Sequence, residues 1–482
     1  MNGCSCNFQL LIGRIAKGER FRAKFFYFPE IPTFAGTIKK PFVNRKILAL
    51  AIPNIITNIT IPLLGMVDLG LMGHLKPEIY VGAIAVGGMI FNFLFWGFGF
   101  LRMGTSGFTA QAYGSRDLQE SMRILVRSLF TGLSGGLLLI LLQKPVAFLA
   151  FRLVNGSPEV ETLAREYFFI RIYSAPATLC IYALTGWFIG MQNARIPMTI
   201  SISVNVLNIL FSLGMIFLFH RRSDGIALAN VLSQSTGILL GLLFLRPYFK
   251  KLGHLVNLKD ALRWSEMKKF IRVNRDIFIR TLCLIFVLSF FTARSAFAGN
   301  TILAVNTLLF QFFYFFSYFM DGFAYAAEAL TGRYIGARDP GNLVKVVRKL
   351  FLWGISISAA FTLVYGLGGP FILRLLTNNP VILGAATPYL FWTALVPLLT
   401  FAAFLWDGIY VGATASAAMR NSMVIITAVI FLPAYYLLHG PLGNNGLWLA
   451  MMLFMLSRGI FLTGFSKKAI YGRIPSGAGA AR

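Results

Sequence analysis

The feature that most narrows what this chain can become is its long uncharged apolar runs. Ile47 to Val67 contains no Lys, Arg, Asp or Glu, and comparable runs recur to the end of the chain. Of 482 residues, 57% are hydrophobic and only 13% charged, whereas a soluble domain carries about 25% charged residues. A bilayer core about 30 Å thick needs about 20 apolar residues per helical crossing. Strand-type alternation is absent, which selects helices over a transmembrane barrel. The fold class expected is therefore an all-α polytopic membrane protein.

Twelve membrane helices are predicted, at 47–72, 80–112, 121–143, 162–187, 194–219, 224–246, 270–297, 302–332, 343–370, 382–412, 417–438 and 444–466. The organisation that follows is a basic tail (1–45), an N-terminal half (46–250), a connection (251–270), a C-terminal half (271–467) and a second tail (468–482). The net charge of +27 is read as loop charge flanking membrane spans, and no nucleic-acid partner is expected. Lys and Arg concentrate before the first span and between the sixth and seventh, while FAGNT (297–301) and LLHGPLGNNG (437–446) have none. By the positive-inside rule both termini are cytoplasmic, in a plasma-membrane (inner-membrane) protein. The first forty residues lack the apolar core of a cleavable signal.

The chain also repeats itself. YGSRD (113–117) returns as IGARD (335–339), and GWFIG (186–190) as GIYVG (408–412). Both pairs give one shift of 222 residues (336 − 114 and 412 − 190), which marks a duplication. Six spans per half preserve orientation, so the halves should be related by a pseudo-two-fold along the membrane normal, with a cavity between them. In GSRD and GARD the Gly is expected to end a helix and the Arg to reach water and headgroups.

The stretches IPLLGMVDLGLMGHL (61–75), FLRMGTSGFTAQAYGSRD (100–117), GWFIGMQNARIP (186–197), NRDIFIR (274–280), MDGFAYAAEALTGRYIGARD (320–339) and LWDGIYVGATASAAMRNSM (405–423) resemble the multidrug and toxic compound extrusion (MATE) transporters, and more closely their DNA-damage-inducible F branch. The resemblance implies a two-lobe, twelve-helix antiporter that expels organic compounds against an inward proton or sodium gradient. Its partners would be the bilayer and small organic substrates, and it would work as a monomer.

Asp68 ends the uncharged run of the first span. A charge near a helix centre costs about 2.5–3.5 kcal/mol on insertion scales, so it should face a cavity or a partner. A carboxyl whose hydration changes during transport can bind a proton on one side and release it on the other. Pro53 and Pro62 permit the same helix to bend. The alternative is a carboxylate that only bonds a neighbouring helix.

In the family pattern the first-helix acid couples the cation, together with an Asn and an Asp on the fifth helix and a polar residue on the sixth. The corresponding positions here are Asn208, Ser212 and Asn230, so a Ser stands where the pattern has a second carboxylate. One formal charge with neutral oxygens suits a proton better than sodium. Tyr167, on the fourth helix, is a further candidate for this group. No metal or organic cofactor is expected, only a proton or Na+ as coupling ion.

Arg102, Arg294, Asp321, Glu328, Asp407 and Arg458 also fall within spans. Ion pairs between helices are expected for most of them. Asp321 is the better second site; Glu328, near Arg333, is expected to snorkel or make an interface contact; Asp407 sits about one turn from a helix end. All three acids are possible substrate or second-site groups. Rival readings are a flippase for lipid-linked precursors, a membrane enzyme and a passive channel. His74, His220, His254 and His439 lie near helix ends or in loops, without GxSxG or HExxH, which disfavours an enzyme. Cys180 and Cys283 read as packing residues, and Cys4 and Cys6 as a lone CxC.

Overall fold

A computed structural model of the chain describes residues 43–73, 79–153, 157–255 and 257–473; the side chains at 61, 63–64, 66–73, 153 and 473 are outside that description. Cys4, Cys6 and His74 therefore lie outside the described residues.

Twelve long helices account for nearly all of it. They are α1 (Val43–Gly73), α2 (Ile79–Gly114), α3 (Leu118–Leu141), α4 (Pro158–Gly190), α5 (Arg195–Phe217), α6 (Ser223–Leu255), α7 (Trp264–Phe297), α8 (Asn300–Gly336), α9 (Pro340–Leu376), α10 (Pro380–Gly412), α11 (Ser416–Leu442) and α12 (Asn444–Ala469). The last eleven are each long and apolar enough to cross a membrane, and α1, at 31 residues, exceeds the length of a crossing. The fold is the expected one: an all-α polytopic membrane protein of two six-helix halves.

Several boundaries differ from expectation for local reasons. α2 is interrupted by a turn at Phe98–Gly99, between glycines. α4 tightens to a 3-10 turn at Ile172–Ser174, just before Pro176, which cannot donate to the ladder. α11 runs past Gly440 and Pro441 to Leu442 and stops only where Gly443 takes φ +52°. Within it Ile426–Phe431 is π-helical. The 251–270 connection is itself largely helical: α6 extends through it, a short helix spans Leu258–Ala261, and α7 begins at Trp264. Arg127 on α3 anchors that short helix by donating to the Ala261 carbonyl at 2.7 Å, and pairs with Glu120 at 2.5 Å.

The duplication is visible in the packing. A Cβ on Gly186 of α4 would lie 2.4 Å from the Arg102 carbonyl oxygen of α2, and one on Gly190 would lie 2.8 Å from that of Ser106. In the second half, a Cβ on Gly408 or Gly412 of α10 would lie 2.1 or 2.3 Å from the carbonyl oxygen of Ala324 or Glu328 on α8. Each of the four contacts maps onto its counterpart by the 222-residue shift, so α4 crosses α2 in the register in which α10 crosses α8.

In GSRD and GARD the glycines end their helices and the arginines are exposed, as expected: α2 closes at Gly114 and α8 at Gly336, with Arg116 and Arg338 at the surface. The left-handed residues are those arginines (φ 62° and 53°), not the glycines. Gly114 and Gly336 also let the halves touch. A Cβ on Gly114 would meet the Arg333 carbonyl oxygen at 2.0 Å, and one on Gly336 would meet that of Gln111 at 2.0 Å. The aspartates cap the next helices, Asp117 accepting from the Glu120 amide and Asp339 from the Asn342 amide.

This end of the bundle, rich in Lys and Arg, is called the basic face below. Here α2 and α8 are sealed together. Gln111 Nε2 donates to the Gly412 carbonyl at 2.8 Å, and Gln192 Nε2 to the Ala329 carbonyl at 2.9 Å. α1 ties the halves as well, since Ile47, Leu50 and Ala51 share a core with Phe316, Met320 and Phe323 of α8.

Candidate functional site

Two polar centres lie inside this apolar frame. The first belongs to the N-terminal half. Asn208 and Ser212 of α5 are 1% and 0% exposed, one turn apart on a helix that packs against both α1 and α6. Asn208 Nδ2 donates to Ser233 Oγ at 3.2 Å, and Ser233 Oγ donates to the Asn230 carbonyl at 2.9 Å. Asn230 turns its own amide to the Ile226 carbonyl at 3.1 Å. The remaining atoms are short of partners: Asn208 Oδ1, Ser212 Oγ and Asn205 Nδ2 are buried without a hydrogen bond among the described residues. Residues 205, 208 and 212 share one helix face. Buried polar groups are normally paired, so this stripe is built to meet something. Asn205 and Ser233 were missed in the sequence, although each lies three residues from a named position.

Asp68 is carried by α1, and its side chain lies outside the described residues. Tyr167 packs its ring where a Cβ on Gly87 would sit, and its hydroxyl accepts from Arg171 at 2.6 Å. Its helix packs against both α2 and α6.

The second centre lies where α8 meets α2, α7 and α10, with α12 behind α10. Asp407 of α10 is held by two guanidiniums, Arg280 of α7 and Arg458 of α12, the latter at 2.5 Å. Glu328, 1% exposed, pairs across the halves with Arg102 at 3.5 Å. It does not snorkel: burial against α10 closes the route toward Arg333, and the interface contact is the one realised. Arg102 also lies over the Tyr325 ring, 3.9 Å from its centroid. Asp321 has no hydrogen-bond or ion-pair partner among the described residues, yet it sits within electrostatic range of Arg102, Arg280 and Arg458.

Arg294, expected among the ion pairs, instead sits among the rings of Phe290, Phe297 and Tyr435 at 5.1–5.6 Å. Arg280 was missed in the sequence as an intramembrane charge. The signal was available, since it lies four residues after Asp276 and well inside an apolar helix. No group of three or more His, Cys, Asp or Glu among the described residues could hold a metal ion.

Comparison with known proteins agrees with this architecture. The MatE family model matches residues 53–213 and 278–437, once in each half. The chain is 39% identical over 420 residues to DNA damage-inducible protein F of Escherichia coli (strain K12), covering 87% of this chain and 91% of that protein. It is 21% identical to the multidrug export protein MepA of Staphylococcus aureus, covering 89% and 92%. Among solved structures, the outward-facing conformation of a multidrug resistance MATE family transporter of the MOP superfamily superposes with a TM-score of 0.80 at 21% identity, covering 90% of this chain and 97% of that one. A duplicated twelve-helix bundle, sealed at one end and polar between its halves, is a transporter and not an enzyme, and this chain belongs to the MATE family.

Proposed function

We propose that this transporter is a multidrug and toxin exporter that antiports amphipathic, often cationic, organic compounds against protons by alternating access. The supporting observation is the stripe of buried atoms on α5 without a partner among the described residues. Of the two helices it packs against, α6 has its one acid, Asp224, in its first turn paired with Arg221, which leaves Asp68 as the acid carried by α1. A neutral carboxyl can donate to Asn208 Oδ1 or Ser212 Oγ, whereas an ionised one can only accept. The same polar groups thus serve one protonation state and lose a bond in the other. With Ser212 in place of a second carboxylate, the group has too little ligand charge to favour sodium. Asn230 and Ser233 orient Asn208, while Tyr167 and Arg171 line the approach. In this reading the basic face is cytoplasmic, the protein resides in the plasma (inner) membrane, and one chain is the functional unit without cofactor or nucleic acid.

The test is efflux of a cationic dye from proteoliposomes under separate proton and sodium gradients, with wild type beside Asp68→Asn. The proton gradient should drive export, the sodium gradient should not, and the variant should lose gradient-driven transport. Sodium-driven export with no response to pH, or an amide variant pumping at the wild-type rate, would overturn it.

A further inference from the structure

From Met320 to Gly332, α8 is buried at every position except Asp321 and Tyr325. These two lie one turn apart on one face. Along its length α8 packs against α1, α2, α4, α7, α9 and α10, and we read the partial exposure of Asp321 and Tyr325 inside that ring of helices as an internal cleft. Arg102 faces it over the Tyr325 ring, and Tyr182 of α4 lies within electrostatic range of both Arg102 and Tyr325. The cleft therefore spans both halves and has aromatic sides.

Its charges balance but do not all pair. Arg102 is matched by Glu328. Arg280 and Arg458 share the single carboxylate of Asp407, which leaves one positive charge in excess, and the Arg280 Nε is buried without an acceptor. The compensating negative charge is Asp321, which holds no donor among the described residues. The centre thus has a donor-rich end and an acceptor-rich end, and is neutral only as a whole.

We propose that this cleft is a subsite for amphoteric organic substrates, with Asp321 taking the cationic group, the Arg280–Arg458 pair facing the anionic group, and Tyr182 and Tyr325 flanking the aromatic body. This rests on the transport reading above and narrows its substrate class. A purely cationic guest satisfies Asp321 but leaves an uncompensated charge in a low-dielectric site. A zwitterion keeps the sum at zero.

Tetramethylrhodamine (free carboxylate, zwitterionic) and its methyl ester (cationic) separate the two cases. Equilibrium binding is read by fluorescence polarisation on the purified full-length chain in detergent, with no gradient present. Wild type should hold the free acid about tenfold more tightly than the ester. Asp321→Asn should weaken the acid by about tenfold, and Asp321→Glu should restore most of that loss. Both variants sit at an accessible position, and monodisperse elution establishes that they are folded.

The ester binding as tightly as the acid, or Asp321→Asn leaving the acid's affinity within about twofold of wild type, would sink the subsite. Gradient-driven efflux is measured separately. Export of the ester without preference for the acid keeps the transport reading and removes the subsite. Acid-selective binding without any export does the reverse.

Discussion

Asp407 is the most consequential side chain to remove. It is 7% exposed and carries two guanidiniums that are themselves 8% and 3% exposed. At an effective dielectric of about 20, each pair at about 4 Å is worth about 4 kcal/mol of attraction. Asp407→Asn deletes both attractions and retains the repulsion between Arg280 and Arg458. It recovers only the carboxylate's own desolvation, which is several kcal/mol per ion. The net cost expected is about 3–5 kcal/mol, the range for an ion pair broken from one side. Replacing all three together with their compensating acid, as Arg280→Met, Asp407→Leu, Arg458→Met and Asp321→Asn, leaves no orphaned charge and should cost about 1 kcal/mol or less. The assay is reversible unfolding in mixed micelles titrated with a denaturing detergent, comparing the single and combined variants. The reasoning fails if the combined variant is as unstable as the single one, because the cost would then come from packing rather than from stranded charge.

Two further outcomes follow from the packing. Gly336→Val would force side-chain atoms against the Gln111 carbonyl, where even a Cβ would stand at 2.0 Å; cysteines introduced on α2 and α8 near residues 111 and 336 should then lose their crosslinking, and unchanged crosslinking would show that the seam tolerates spreading. Arg127→Ala should release the short helix Leu258–Ala261 from α3, costing about 2–3 kcal/mol for the charged hydrogen bonds lost, and limited proteolysis near residues 256–263 should accelerate relative to Arg127→Lys.

Much of this architecture was legible before any coordinates. Spans are legible because bilayer thickness sets their length, and the duplication because two short motifs share one offset. Asn208 and Ser212 came from the resemblance to the MATE pattern rather than from spacing, and Asn208 contacts α6 through Ser233. Asp407 shows where local pattern stops. Its partners lie 127 and 51 residues away on other helices, and nothing in the spacing of α10 announces them. The second role of Gly114 and Gly336, as close contacts between the halves, was missed for a related reason. A glycine at a helix end reads equally as a stop or as a close contact, and only the position of the opposite backbone distinguishes them. The helical connection was hidden by its charge, since the run of Lys and Arg from 246 to 275 resembles a solvated loop until Arg127 is seen to anchor it.

The seam at the basic face is also the part of the molecule best suited to opening. Among the described residues, side-chain hydrogen bonds there join Gln111 to the Gly412 carbonyl and Thr414, Gln192 to the Ala329 carbonyl and Lys46 to the Tyr334 hydroxyl, with the Arg102–Glu328 pair above them. Beside them Arg333 lies over the Tyr113 ring, α1 packs its Ile47, Leu50 and Ala51 on α8, and glycine meets backbone at Gly114 and Gly336. Each neutral hydrogen bond contributes about 1 kcal/mol net, because water replaces the partner when it breaks. Water entering from an opened basic face would solvate the same amides and carbonyls. The contacts between α2 and α4, and between α8 and α10, lie within each half and need not change. Close packing inside each half with sparse polar contact between them is the physical condition for rigid-body rocking. The 222-residue repeat places one copy of that condition on each side of the cleft.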